Sequence, residues 1–201
     1  MSVLIGICGE AFCLLFGDTR RVRYEGDRVK VTDDQSQNIF RVNERVLFGM
    51  TGQLEGTDAL FAPLRGFPEK EAITLRLAVR ASRDYLQRSL GTLPGPMCCV
   101  AVGSDNKGRF CACEISGDPA AGQVETIERR PELPGSPWGI TCILPPGLSK
   151  EREHYLEQIK ACADRAGSAE ELAEQVCGLI RGMAKRDPAV GKAINVYMIS
   201  K

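Results

Sequence analysis

The sequence has a single histidine, no pair of cysteines separated by two residues, and no glycine-rich phosphate-binding loop. His154 lies among charged residues on the expected surface of a helix, so we do not expect a Ser-His-Asp or Cys-His triad. Zinc-finger spacing is missing, and nothing favours a stand-alone domain that binds a small molecule. These absences predict a protein with no bound metal and no cofactor.

Charge of one sign and long apolar runs are missing as well. The 26 basic and 26 acidic residues cancel, which argues against a nucleic-acid partner. No apolar run approaches the about 20 residues that span a bilayer, so we expect no membrane association. The length of 201 residues suits one full-size core. We therefore expect a single domain over residues 1–201 in a soluble intracellular protein.

The nine cysteines are many, but their odd number and apolar settings argue against a disulfide framework. Seven lie in runs typical of strands, namely Cys8, Cys13, Cys98, Cys99, Cys111, Cys113 and Cys142, and two, Cys162 and Cys177, lie in helical patterns. Strand alternation places the sulfurs of Cys111 and Cys113 on one face. Buried, reduced thiols that pack as small apolar groups are the prediction.

The sequence alternates between strand-rich and helix-rich blocks. Strands are predicted over 3–8, 12–16, 28–32, 39–42, 46–50, 97–102, 109–115, 138–144 and 193–199, with 117–137 as a loop or an edge region. Helices are predicted over roughly 54–64 and 73–90, then one capped by Ser149 and one that begins with a capping box from Ser168 to Glu171. We expect the opening hairpin to belong to the packed sheet, with no leader segment before it.

Segregated blocks of strands and helices favour antiparallel sheets with helices stacked outside them. The predicted fold is therefore of the α+β class, a four-layer αββα sandwich in which two antiparallel sheets lie between helix layers.

Three segments, in this order and spacing, resemble the β subunits of the 20S proteasome, members of the N-terminal nucleophile hydrolase superfamily. The segments are Ser2-Val-Leu-Ile-Gly-Ile with Gly17-Asp18-Thr19-Arg20, Asn38-Ile-Phe-Arg-Val-Asn43 with Met50-Thr51-Gly52, and Arg186-Asp187-Pro-Ala-Val-Gly191 with Asn195-Val-Tyr-Met-Ile199. The opening residues, without a propeptide, and Asp33-Asp34 most resemble the eukaryotic fourth β-type subunit, which is non-catalytic.

The resemblance implies positions for the family's catalytic groups. Ser2 falls at the place of the amino-terminal nucleophile, and Asp18 and Asp187 match two aspartates of the site. The place of the lysine that lowers the pKa of the terminal amine is taken by Asn38, which carries no charge. The four residues are therefore expected to be vestigial.

Two family serines also lack a counterpart, because their positions fall near Ile140 and on Val190. The resemblance then implies a non-catalytic structural subunit of the 20S core particle in ATP- and ubiquitin-dependent protein degradation, cytoplasmic and nuclear. Its partners would be other β subunits in the same and the facing ring, and α-type ring subunits. The alternative is an active peptidase or amidase with Ser2 as nucleophile, in a homo-oligomeric ring.

Overall fold

Two antiparallel sheets lie face to face at the centre of the computed structural model, which describes residues 2–26, 28–52, 64, 69–132 and 135–201. The described strands are β1 (Leu4–Cys8), β2 (Phe12–Asp18), β3 (Arg21–Glu25), β4 (Arg28–Asp33), β5 (Ile39–Asn43), β6 (Val46–Thr51), β7 (Met97–Ser104), β8 (Phe110–Asp118), β9 (Gln123–Arg129), β10 (Gly139–Ile143) and β11 (Ile194–Ser200). The described α-helices are α1 (Leu75–Ser89), α2 (Arg152–Arg165) and α3 (Ala169–Arg186).

The strand order explains why the opening hairpin is so apolar. One sheet has the order β10-β1-β2-β11 and the other has the order β5-β6-β7-β8-β9. Every residue of β1 and of β6 is buried, because these strands are covered on both faces. Leu4 and Leu15 of the first sheet pack against Leu47 and Val100 of the second. The predicted hairpin is confirmed, with Leu4 opposite Gly17.

Helices cover the two outer faces. Helices α2 and α3 pack on the four-stranded sheet, where Ile159 and Val176 meet Ile5 and Phe16. Helix α1 packs on the five-stranded sheet through Leu86 and its neighbours. The predicted four-layer sandwich of the α+β class is confirmed. None of the helices in the described ranges combines the length and the apolar character that crossing a membrane requires.

One strand was missed by the sequence analysis. Arg21–Glu25 forms β3, which pairs with β4 as a separate two-stranded ribbon. Three of its five residues are charged and three are exposed, so no apolar run marked it. The region 117–137 contains the edge strand β9. The helix predicted over 54–64 lies outside the described residues, except for the buried Leu64.

The predicted cap at Ser149 is wrong. The chain first forms a 3₁₀ helix over Pro146–Glu151, and the Ser149 hydroxyl donates to the carbonyl of Pro146 (2.9 Å). Helix α2 therefore begins only at Arg152. Tyr155 is buried in the core, and Leu156 packs against it partly buried. Turns of this tighter kind are common at the start of an α-helix, and Pro146 at the first position has no N–H to satisfy.

The capping box at the start of α3 is confirmed in its first half. The Ser168 hydroxyl accepts a hydrogen bond from the backbone N–H of Glu171 (3.1 Å). The Glu171 carboxylate reaches back one residue further than expected and accepts from the N–H of Gly167 (2.8 Å). The buried residues of α3 include Val176 and Ile180, and Leu179 packs partly buried against the same core.

The cysteines behave as the composition predicted. All nine lie in the described ranges and all are free thiols, eight of them buried and Cys177 half-buried. Burial raises the pKa of the Cys98 thiol and of the Cys142 thiol to about 12. These side chains are therefore neutral packing groups at neutral pH.

The two serines provide a matched test of helix capping. We expect Ser168→Ala to lower the free energy of unfolding by about 1 kcal/mol, because the N–H of Glu171 loses its acceptor. Ser149→Ala removes only an exposed hydroxyl outside any α-helix, so its effect stays within about 0.5 kcal/mol. Urea denaturation of both variants measures the difference. Equal losses would contradict the assignment of Ser168 as the cap.

Candidate functional site

A fully buried carboxylate, Asp18, lies at the end of β2 and joins three segments of the chain. Its Oδ2 accepts a hydrogen bond from the N–H of Val3 (2.6 Å). Its Oδ1 accepts from the N–H of Arg20 (2.9 Å) and of Gly191 (2.9 Å). The carboxylate thus connects the start of β1, the end of β2 and the segment that precedes β11.

The charge of Asp18 is stabilised by backbone dipoles. Burial raises the pKa of the Asp18 carboxyl, and the hydrogen bonds from the three N–H groups oppose that rise. The nearby Arg20 guanidinium points away, to Asp34, with its Nε 2.5 Å from Oδ1 and its Nη2 3.2 Å from Oδ2. This ion pair holds the pKa of the Asp34 carboxyl below its usual value.

Asn38 fills the space beside Asp18. Its side-chain amide donates to the backbone carbonyl of Asp18 (2.8 Å), and its Oδ1 finds no hydrogen-bond donor among the described residues. Gly17 leaves room for it, since a Cβ at that position would come within 2.5 Å of Asn38 Oδ1. A neutral amide therefore sits where the family resemblance places a lysine.

Ser2 is held by two hydrogen bonds and is 9% exposed. Its backbone N–H donates to Oγ1 of Thr51 (2.5 Å), and its hydroxyl donates to the backbone carbonyl of Arg20 (3.0 Å). The sequence analysis gave Thr51 no role. The one sequence feature that could have indicated a role for Thr51 is its place in the segment Met50-Thr51-Gly52, at the end of β6.

Asp187 begins a tight turn that leads to Gly191, one of the donors to Asp18. It follows α3, and its Oδ1 accepts from the N–H of Ala189 (2.7 Å). The N–H of Val190 donates to the Asp187 carbonyl (3.1 Å), which closes a tight turn. The structure therefore brings Ser2, Asp18 and Asn38 together, and the turn from Asp187 to Gly191 joins them through the Gly191 N–H.

The two positions where the resemblance places family serines carry apolar side chains that pack in the core. Val190 is fully buried in the core beneath α2 and α3, and Ile140 packs against the same core. Two cationic residues close to Asn38 in the sequence, Arg41 and Lys30, have other partners. Arg41 donates to the carbonyl of Met198 (2.7 Å), and Lys30 is exposed on β4, 3.9 Å from Glu25.

A second polar group, not found from the sequence, joins the two sheets. Oε2 of Glu114 accepts from the Thr141 hydroxyl (2.6 Å) and from Nη2 of Arg152 (2.6 Å). Nε of Arg152 also donates to the carbonyl of Cys142 (2.8 Å). The sequence feature that could have indicated this group is Glu114, a charged residue in the interior of the apolar strand β8. These bonds link β8, β10 and the start of α2.

No protein-family model matches the chain, and no curated protein sequence matches it. Among solved structures, the chain is similar to the crystal structure of eukaryotic HslV from Trypanosoma brucei, with a TM-score of 0.64 and 18% sequence identity. The match covers 99% of each chain. At this level of identity the likeness shows the fold alone, so the chain shares the antiparallel αββα sandwich of that structure.

Proposed function

We propose that this chain is a non-catalytic, structural subunit of a ring-forming particle of the proteasome type. The observation that carries the proposal is Asn38, a neutral amide that donates to the backbone of Asp18 at the position where the family resemblance requires a lysine. Without a cation there, nothing electrostatic lowers the pKa of a terminal amine toward that of a general base.

The contacts of Asp18 and Ser2 support the same reading. Both oxygens of Asp18 are occupied by backbone N–H groups, so the carboxylate holds chain segments and has no lysine to orient. The Ser2 hydroxyl donates to a carbonyl oxygen, which is too weak a base to take its proton. The four positions Ser2, Asp18, Asn38 and Asp187 are therefore proposed to be structural.

The finer assignment rests on the sequence resemblance. We propose a single β-type domain over residues 1–201, most like the eukaryotic fourth β-type subunit, within a cytoplasmic and nuclear 20S core particle that serves ATP- and ubiquitin-dependent degradation. Its neighbours would be β subunits of the same and the facing ring and subunits of an α-type ring.

Exposed apolar side chains provide surface for such neighbours. Val196 and Met198 are exposed on the edge strand β11, and Tyr24 and Val31 are exposed on the β3–β4 ribbon. Val196 and Met198 lie opposite Phe16 and Leu14 of β2, on the sheet face that carries α2 and α3. Three further candidates from the sequence, Leu60, Phe61 and Phe67, lie outside the described residues.

The first prediction from this proposal concerns catalysis. The isolated chain with Met1 removed should not hydrolyse fluorogenic peptides, because loss of the lysine removes several orders of magnitude in rate. Asn38→Lys alone should not restore turnover, since Ile140 and Val190 still provide no hydroxyl. Turnover that disappears in Ser2→Ala would instead establish Ser2 as an active nucleophile and favour the alternative function.

The second prediction concerns the stability that Asp18 provides. Asp18→Asn replaces one acceptor oxygen with an NH₂ group that faces backbone N–H donors. We expect the free energy of unfolding to fall by about 2–4 kcal/mol. Asp34→Asn is the matched control, because that carboxylate is exposed and bonds to the Arg20 guanidinium and to no other described residue. Urea denaturation should show a much smaller loss for the control; comparable losses would argue against Asp18 as the structural centre.

The third prediction concerns assembly. Native mass spectrometry of the protein purified from its source should find it in a multi-subunit particle. Met198→Glu should reduce its incorporation, because a charge would enter an apolar contact. Ser200→Glu places the same charge on the same strand without removing an apolar group, and serves as the control. Both side chains are exposed, so the melting temperature of the isolated chain should not change. A wild-type protein found only as a 21.9 kDa monomer would contradict the subunit proposal.

A further inference from the structure

Two thiols and a carboxylate meet on adjacent strands of the five-stranded sheet, away from the Asp18 group. Cys111 and Cys113 alternate along β8, so their side chains share one face, and their sulfurs are 3.6 Å apart. Glu128 lies on β9 directly opposite Cys113. One ligand atom from each of the three residues lies within 4.8 Å of the others.

This spacing matches the geometry of a thiolate-bound zinc ion. Two sulfurs at about 2.3 Å from one ion, separated by the tetrahedral angle, lie about 3.8 Å apart. The observed separation of 3.6 Å requires almost no movement of the strand. A carboxylate oxygen binds such an ion at about 2.0–2.2 Å, within reach of a rotation of the Glu128 side chain.

The residues around the two thiols leave a route for an ion to enter and place a positive charge beside the site. The two cysteines are buried, whereas the Glu128 side chain is 47% exposed on the outermost strand of its sheet, so an ion can enter from that side. The guanidinium of Arg130 already pairs with Oε1 of Glu128 and lies 3.7 Å from Oδ2 of Asp105. The Glu128 carboxylate thus already binds a cationic group. If a metal ion replaces Arg130 at Glu128, the guanidinium retains its ion pair with Asp105.

We propose that Cys111, Cys113 and Glu128 form a binding site for a thiophilic divalent cation of the zinc type, with water as the fourth ligand. On binding, the two S–H bonds break, two sulfur–metal bonds form and two protons pass to solvent, with no change of oxidation state. Two thiolates and a carboxylate leave one net negative charge around the ion, and Arg130 lies beside it.

The proposal revises the expectation of a protein without a metal site. That expectation rested on the missing two-residue spacing between cysteines, which suits ligands in a turn. Along a strand, a spacing of one residue is what places two thiols on the same side. The third ligand comes from the neighbouring strand, and only the register of β8 against β9 identifies it.

The test is a titration of the reduced, full-length protein with Co²⁺, followed by its sulfur-to-cobalt charge-transfer absorption, and then displacement by Zn²⁺. We expect one equivalent of Co²⁺ to bind through thiolates. Cys113→Ser should abolish the absorption, and Glu128→Gln should weaken binding by about tenfold or more. Cys177→Ser, which alters the half-buried thiol on α3, is the matched control and should change nothing.

Melting temperatures and one further variant keep the test decisive. Glu128→Gln alters an exposed side chain, so its melting temperature without metal should equal that of the wild type even if Cys113→Ser fails to fold. Arg130→Gln should tighten Co²⁺ binding, because it frees the Glu128 carboxylate. Zn²⁺ should raise the melting temperature of the wild type and not that of Glu128→Gln at the same concentration. Absence of the charge-transfer absorption, or binding that is unaffected by Cys113→Ser and Glu128→Gln, would overturn the proposal.

Discussion

The buried carboxylate of Asp18 is the constraint on which the centre of this protein depends. A charge without access to water is costly unless hydrogen bonds replace its hydration, and here three backbone N–H groups do so. The donors come from residues 3, 20 and 191, so one side chain sets the relative positions of β1, β2 and the segment before β11. Removing the charge would leave three segments without their common acceptor.

The residues around Asp18 are adapted to that role. Asn38 occupies the space next to it as a neutral donor to the backbone, and Gly17 makes room because any side chain there would collide with the amide. Ser2 is held by Thr51 and by the Arg20 carbonyl. In the proposed reading, the scaffold of a hydrolase fold has been kept while its proton-transfer chemistry has been lost, which is consistent with the general independence of fold and function.

The same rule of strand alternation acts at both places of interest. In β1 and β6, alternate side chains point to opposite faces, and both faces are covered. Every side chain is therefore buried, and the strands are continuous apolar runs. On β8 the alternation brings two thiols to one face, and the edge position of β9 leaves the third ligand exposed to solvent. A buried dithiol beside an exposed carboxylate therefore follows from where β8 and β9 lie in the sheet.

The sequence by itself determined what depends on near neighbours along the chain. The opening hairpin, the cap at Ser168, the burial of the cysteines and the layered order of strands and helices all follow from local periodicity and capping chemistry. The ribbon strand β3 and the late start of α2 were not predicted. A strand rich in charged residues has no apolar signature, and a 3₁₀ helix precedes α2. Only the tertiary structure decided the partners of Asp18 and the meeting of Cys113 with Glu128. Those contacts join residues up to 173 positions apart, and they exist only once the strands have chosen their neighbours and register.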